Sequence, residues 1–158
     1  MCSVEHNLNL TIWIKLRTMR ETVRALVVNN KKEIFFVQHN EQDPKNLGKW
    51  STIGGGLDSG ETYIECLFRE IEEEFGYVSA QNIKIGTKLL KNEYYGRIDH
   101  FYAAFYKGKN LIPIVTEEII SSQWFTHEEV LKLNTFFGFE KKLAKEALKY
   151  FQKSLDSV

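Results

Sequence analysis

Cysteine and proline are scarce in this chain, two of each among 158 residues. Cys2 stands near the start and Cys66 inside a glutamate-rich stretch. Thiols so placed make a poor disulfide framework and match no zinc-ligand spacing, which suits a reducing compartment. Long hydrophobic runs are also missing. Nothing approaches the roughly 20 apolar residues of a membrane-spanning helix, and the first residues lack the charged start and apolar stretch of a signal peptide. The expectation is a cytoplasmic protein with no membrane partner. Neither sign of charge is in excess, with 21 basic against 21 acidic residues. No overall field draws the molecule onto nucleic acid or anionic lipid. Nucleic acid is therefore disfavoured as a partner, and a polyanionic ligand would need a cation to bind. Repeats and low-complexity tracts are absent too. What remains is a chain 43% hydrophobic, long enough for one domain with a real core and too short for two.

The pattern along the chain is mixed. In 22–28 and 33–39, β-branched and aromatic residues flank Asn29-Asn30-Lys31-Lys32, a hairpin signal. Residues 42–48 read as a loop, and 83–90 and 101–106 as further strands. Thr126 and Glu129 stand in capping-box register and open a short helix. Residues 140–155 carry Leu143, Ala147, Leu148 and Phe151 at helical spacing under a charged face. Strands, helix, strands, helix argues for an α/β fold with a mixed β-sheet between helices. Residues 19–158 form this single domain. Residues 1–18 read as an N-terminal extension in which Leu10, Ile12, Ile14 and Leu16 alternate like an added edge strand. Such an arm pairs either with the sheet or with a neighbouring subunit, which would make a homodimer.

The richest stretch runs from Gly55 to Tyr77, GGLDSGETYIECLFREIEEEFGY. Thr62 and Glu65 form a capping box that starts a helix near Thr62, and Gly76 sits where a left-handed C-terminal cap is expected. Ile64, Leu67, Phe68, Ile71 and Phe75 recur at helical spacing and predict the face that docks on the core. Glu70, Glu73 and Glu74 share another face. Three carboxylates there repel one another unless something positive lies between them. Hard oxygen donors on a rigid helix suit Mg²⁺, or Mn²⁺ in its place. Ahead of them, Gly54, Gly55 and Gly56 read as a glycine turn whose backbone can approach a ligand closely. Arg69, beside Glu61 and several other acids, reads either as a phosphate-binding residue or, by preference, as an orienting residue that makes bidentate hydrogen bonds.

This segment resembles the Nudix box, G-x5-E-x7-R-E-U-x-E-E-x-G-U with U a bulky apolar residue. Gly55, Glu61, Arg69, Glu70, Ile71, Glu73, Glu74 and Gly76 fill its positions. Tyr77 departs softly, since the family usually has an aliphatic residue there. The resemblance implies an α/β/α sandwich and a pyrophosphohydrolase. Its reaction would be Mg²⁺-dependent hydrolysis of a nucleoside diphosphate linked to another moiety, such as a nucleoside triphosphate, a dinucleoside polyphosphate or a nucleotide sugar. It implies Glu70, Glu73 and Glu74 as metal ligands, with the carbonyl of Gly54 as a further oxygen. Glu61, Arg69 and Gly55 would support the site. The general base comes either from the box, at Glu73 or Glu74, or from a later loop, where Glu117 and Glu118 stand and Glu118 is preferred.

Substrate choice is thinly marked. Tyr94 and Tyr95 fall at the distance beyond the box where diadenosine polyphosphate hydrolases of the family carry a tyrosine. Asn92 stands where many ADP-ribose hydrolases have proline. Trp50, Tyr94 and Tyr95, with Tyr102 and Phe137 behind them, are the candidates for stacking on a base. His39 and His100 read as strand histidines in structural hydrogen bonds. The competing reading is a catalytically silent nucleotide-binding sensor with the same fold.

Overall fold

The structure, a computed structural model, describes residues 19–114 and 117–155. The expected extra strand within 1–18 lies outside the described residues. Six strands form one mixed sheet: β1 (Arg20–Val28), β2 (Ile34–His39), β3 (Ile53–Gly56), β4 (Ile83–Tyr94), β5 (Arg97–Tyr106) and β6 (Ile119–Phe125). The helices are α1 (Tyr63–Phe75), α2 (Tyr77–Gln81), α3 (His127–Val130) and α4 (Glu140–Leu155). The sheet runs β4-β5-β1-β2-β6, with β3 also paired to β1. β1 and β5 are parallel over their whole register, from Arg20 opposite Arg97 to Val28 opposite Phe105.

The other edge of β1 is divided. Val27 and Val28 pair with Phe35 and Ile34 of β2, whereas Thr22 to Ala25 pair with Gly56 to Ile53 of β3. The sheet therefore forks, and β3 fills the fork. The expectation of a glycine turn at Gly54–Gly56 is corrected here: these residues are a strand. Only glycine allows it. Gly54 has φ of 134°, and a Cβ there would run into the Val23 carbonyl; a Cβ at Gly55 would strike the Glu70 carboxylate.

Alternation along β1 assigns its side chains to two cores. Val23, Ala25 and Val27 meet Cys66, Leu67, Ile71 and Phe75 of α1, while Leu26 and Val28 meet Leu143, Ala144, Ala147 and Phe151 of α4. Each large apolar side chain buried this way contributes about 1.5–3 kcal/mol. The α/β/α layering matches the expectation. The docking face of α1 is rotated from it: Cys66 is fully buried, Ile64 is exposed and Phe68 half-buried. Both capping boxes form, with the Thr62 N–H donating to Glu65 Oε2 at 2.8 Å and the Thr126 N–H to Glu129 Oε2 at 2.7 Å.

Three further corrections follow. Gly76 ends α1 at φ 87° but ψ 160°, a positive-φ conformation that suits glycine yet lies outside the left-handed helical region, so it is not a left-handed cap. The chain enters α2 directly, and Tyr77, its first residue, is exposed, which explains why a non-aliphatic residue is tolerated there. The β4–β5 hairpin runs on to Tyr94 and Arg97, well beyond 83–90 and 101–106. The loop before Trp124 becomes β6 at Ile119, where it pairs with β2.

Candidate active site

A cleft of about 780 Å³ opens at the fork, lined by Gly54, Gly55, Gly56, Glu70, Glu73, Glu74, Glu117 and Glu118 among others. These belong to β3, to the C-terminal half of α1 and to the turn before β6. Residues fifty or more positions apart are thus gathered into one site.

Arg69 organises the acidic wall. Its Nε and Nη2 donate to the two oxygens of Glu61 at 2.8 and 3.0 Å, and Nη2 also donates to the Gly56 carbonyl at 2.8 Å. Its Nη1 donates to Glu70 Oε1 at 2.7 Å and to Glu73 Oε2 at 3.3 Å. One guanidinium therefore ties the loop after β3 to α1 and fixes a glutamate at the cleft. The Arg69 hydrogen bonds hold the Glu61 carboxyl at about 2. Glu61 also accepts the Asp58 N–H at 3.1 Å, which closes the loop.

The three helix glutamates differ in surroundings. The Glu73 side chain is largely exposed. Glu70 is half-buried, and burial raises its pKa against the pull of Arg69. Glu74 is only 6% exposed, and its Oε2 has no hydrogen-bond partner. Burial, then the charge of Glu70, pushes its carboxyl up to about 8. Among the described residues, no three acidic, histidine or cysteine side chains are drawn together into a ready cation cage. Glu70, Glu73 and Glu74 line one cleft without forming such a cage, and Arg69 holds the Glu70 carboxylate through Oε1. The donor set still fits a divalent cation: hard oxygens, one of them buried and unpartnered, beside a glycine strand that leaves room.

Glu117 and Glu118 are brought to the same cleft by Asn40. The Asn40 N–H donates to the Glu118 carbonyl at 2.7 Å and its Nδ2 to the Glu117 carbonyl at 3.2 Å. His39, one residue earlier, also lines the cleft. Its pKa is lowered by burial and then by Arg24, against the opposing pull of Glu118.

The aromatic candidates lie elsewhere. Trp50 packs edge-on to Phe125 at 4.8 Å, against the α4-side core. Tyr94 and Tyr95 meet edge to face at 4.5 Å at the hairpin tip, with Tyr95 92% exposed. Tyr102 is buried in the α1-side core and Phe137 packs with Phe101 on the other. None of the five lines the cleft. His100 is buried away from it, with Nε2 at 2.7 Å from Glu21, Nδ1 at 3.1 Å from Lys88 and Tyr63 stacked on its ring at 4.1 Å.

Sequence reasoning missed the basic residues of the cleft. Arg20, Thr22 and Arg24 of β1 and Arg97 of β5 line the same opening as the glutamates. Their common face could have been read from the alternation at 20, 22 and 24, yet the pairing with Arg97 has no local signal. Among the described residues, no helix is long and apolar enough to cross a membrane.

Comparison with known proteins agrees with this geometry. The NUDIX domain family profile matches residues 18–147. An RNA pyrophosphohydrolase of Erythrobacter litoralis is 28% identical over 153 residues, covering 84% of this chain and 90% of that relative. Nudix hydrolase 2 of Arabidopsis thaliana is 26% identical over 113 residues, covering 71% of this chain. The chain spans only 41% of that second relative's length. A solved NUDIX-family hydrolase from Clostridium perfringens shares the fold with a TM-score of 0.66 at 17% identity, over 82% of this chain and 96% of its own. With a matching domain across most of its length and the box residues set around one cleft, the chain belongs to the Nudix hydrolase family.

Proposed function

We propose that this pyrophosphohydrolase uses Mg²⁺, with Mn²⁺ able to replace it, to cleave the pyrophosphate bond of a nucleoside diphosphate linked to another group. The observation that carries the reading is Glu74: a buried carboxylate with an unpartnered oxygen, beside Glu70 and Glu73 and facing the glycine strand. The family is divalent-metal dependent. Glu70, Glu73 and Glu74 would hold the ion, with the Gly54 carbonyl as a further donor. When bound, such an ion neutralises charge on the diphosphate and makes water a better nucleophile.

The remaining roles belong to the chain's own groups. Glu118, on the tethered turn, would accept the proton of the attacking water, and Glu73, the most exposed of the helix acids, is the alternative base. Arg69 and Glu61 keep Glu70 aimed at the cleft. Gly55 gives that carboxylate its room. The substrate is a small nucleotide. Nucleoside triphosphates, dinucleoside polyphosphates and nucleotide sugars form the panel, and the Erythrobacter relative, an RNA pyrophosphohydrolase, adds RNA carrying a pyrophosphate bond. Tyr94 and Tyr95 line no part of the cleft, so the reading gives them no base-stacking role; it does include a cytoplasmic location and a homodimer. The test is a hydrolysis screen of that panel with Mg²⁺ or Mn²⁺, with Glu74→Gln as blank. Turnover lost in the variant supports the reading; absence of turnover on every phosphoanhydride overturns it.

A further inference from the structure

The β1–β5 part of the cleft carries a positive charge excess that its one buried carboxylate does not neutralise. In the parallel β1–β5 register, Arg20 lies opposite Arg97 and Thr22 opposite Asp99. Both pairs share one face, since positions two apart on a strand point the same way. Arg24 continues the row on β1. Asp99 is fully buried and serves part of the group: its Oδ1 accepts from Arg97 Nε at 2.8 Å and from the Thr22 hydroxyl, and lies 3.7 Å from Arg24 Nε. Two guanidiniums thus share one carboxylate, and Arg20 stands beside them without one. Like charges placed directly across a strand pair are destabilising, so the sheet tolerates Arg20 and Arg97 side by side at a cost.

The three arginines are unequal. Arg24 is held by Ser51 Oγ at 3.1 Å and the Thr52 carbonyl at 3.2 Å, and it serves as the buried back of the row. Arg97 is braced through Nε alone. Arg20 makes no ion pair and no side-chain hydrogen bond among the described residues, and its Nε and Nη2 lie over Gly56, next to the glycine strand. Donors free of internal partners, lining a cleft that also holds the glutamates, suit an anion that reaches past the carboxylates.

We infer that Arg20 and Arg97, backed by Arg24 and Asp99, bind the terminal phosphate of the substrate, so that this protein prefers polyphosphate chains with a free end over those capped on both sides. A terminal phosphate carries about two negative charges and three free oxygens, which two forked guanidiniums can satisfy. A bridging phosphate carries one charge and has two of its oxygens taken. The inference rests on the proposed hydrolysis at the same cleft.

Two measurements test it separately from that reading. Steady-state hydrolysis of guanosine triphosphate and of diadenosine tetraphosphate is compared in wild type, Arg20→Ala, Arg20→Lys and the surface control Lys142→Ala. Arg20→Ala should raise KM about tenfold for the triphosphate with kcat nearly unchanged, and leave the dinucleotide's KM within twofold. Arg20→Lys should recover part of the loss. Equal effects on both substrates, or none, would overturn the inference while leaving the hydrolysis intact. Binding of inorganic pyrophosphate by calorimetry in chelator reads the arginine wall without any turnover. Wild type should bind and Arg20→Ala should bind about tenfold more weakly, whereas equal binding by both would sink the proposal even if no substrate were ever found.

Discussion

Each side of the sheet buries a glutamate, and the two are finished differently. On the α4 side, Glu140 is fully buried, yet its oxygens accept the Thr52 N–H and hydroxyl, both at 3.2 Å, and the Phe137 N–H at 2.9 Å. On the α1 side, Glu74 is nearly as buried and one of its oxygens accepts nothing. Burial raises the pKa of both; for Glu140 the hydrogen bond from Phe137, Arg24 and the Thr52 bonds pull the other way. A carboxylate buried for structure is surrounded by donors, because an unmet buried acceptor costs free energy. One left unmet beside a cleft is kept for something that arrives from outside.

The sharpest break of this contrast is Glu74→Gln. Metal-dependent hydrolysis should fall by about 10²–10³-fold or more, while the metal-free variant should melt higher than wild type at pH 8, since a buried unpaired charge has been removed. A lower melting temperature in chelator would count against the assignment. Next in size, Arg69→Lys keeps the charge but loses the fork that joins Glu61, Gly56 and Glu70; turnover should drop about 10–100-fold with weaker apparent metal affinity. Retention of full activity would show that the guanidinium geometry is dispensable.

Glu140→Ala sharpens the other half. It strands two backbone N–H groups, and chemical denaturation should report a loss of about 2 kcal/mol, with kcat of the folded fraction within about threefold of wild type. A collapse of kcat at unchanged stability would put Glu140 in the active site instead. Glu74 also gives the stability a pH dependence. Glu74 sits at about 8 when folded, against about 4.3 for a glutamate in an unfolded chain. Between these values the folded state holds a proton that the unfolded state has released, so this contribution is full below the lower value and is lost as pH rises through the upper one. Melting curves in chelator from pH 5 to 9 should fall more steeply for wild type than for Glu74→Gln. Parallel curves would mean that Glu74 titrates normally.

The legible parts of this molecule are those written in local chemistry. Thr62 with Glu65 and Thr126 with Glu129 announced two helix starts, and the spacing of Leu143, Ala147 and Phe151 announced α4. The acidic residues of the box announced one wall of the cleft. What stayed hidden depends on partners distant in sequence. A Gly-Gly-Gly run looks like a turn until β1 is known to lie beside it, and Arg97 is one more surface arginine until the parallel pairing sets it against Arg20, 77 positions earlier. The candidate stacking aromatics stand away from the cleft for a related reason: an aromatic residue near a motif in sequence carries no information about which side of a hairpin it decorates. Ile64 and Cys66 show the same limit within one helix, where periodicity gives a face but only the neighbouring layer decides its centre.

The division of β1 between two partners has a dynamic consequence. Its backbone is hydrogen-bonded along one edge by β5 and along the other by β3 and then β2, so its amides should be among the slowest in the protein to exchange with solvent. The arginine row is mounted on this strand and cannot adapt its spacing, whereas Glu117 and Glu118 are held to Asn40 by two hydrogen bonds. When a nucleotide enters, the changes in amide exchange should appear around Glu117 and Glu118, and the strand that carries the arginines should stay still.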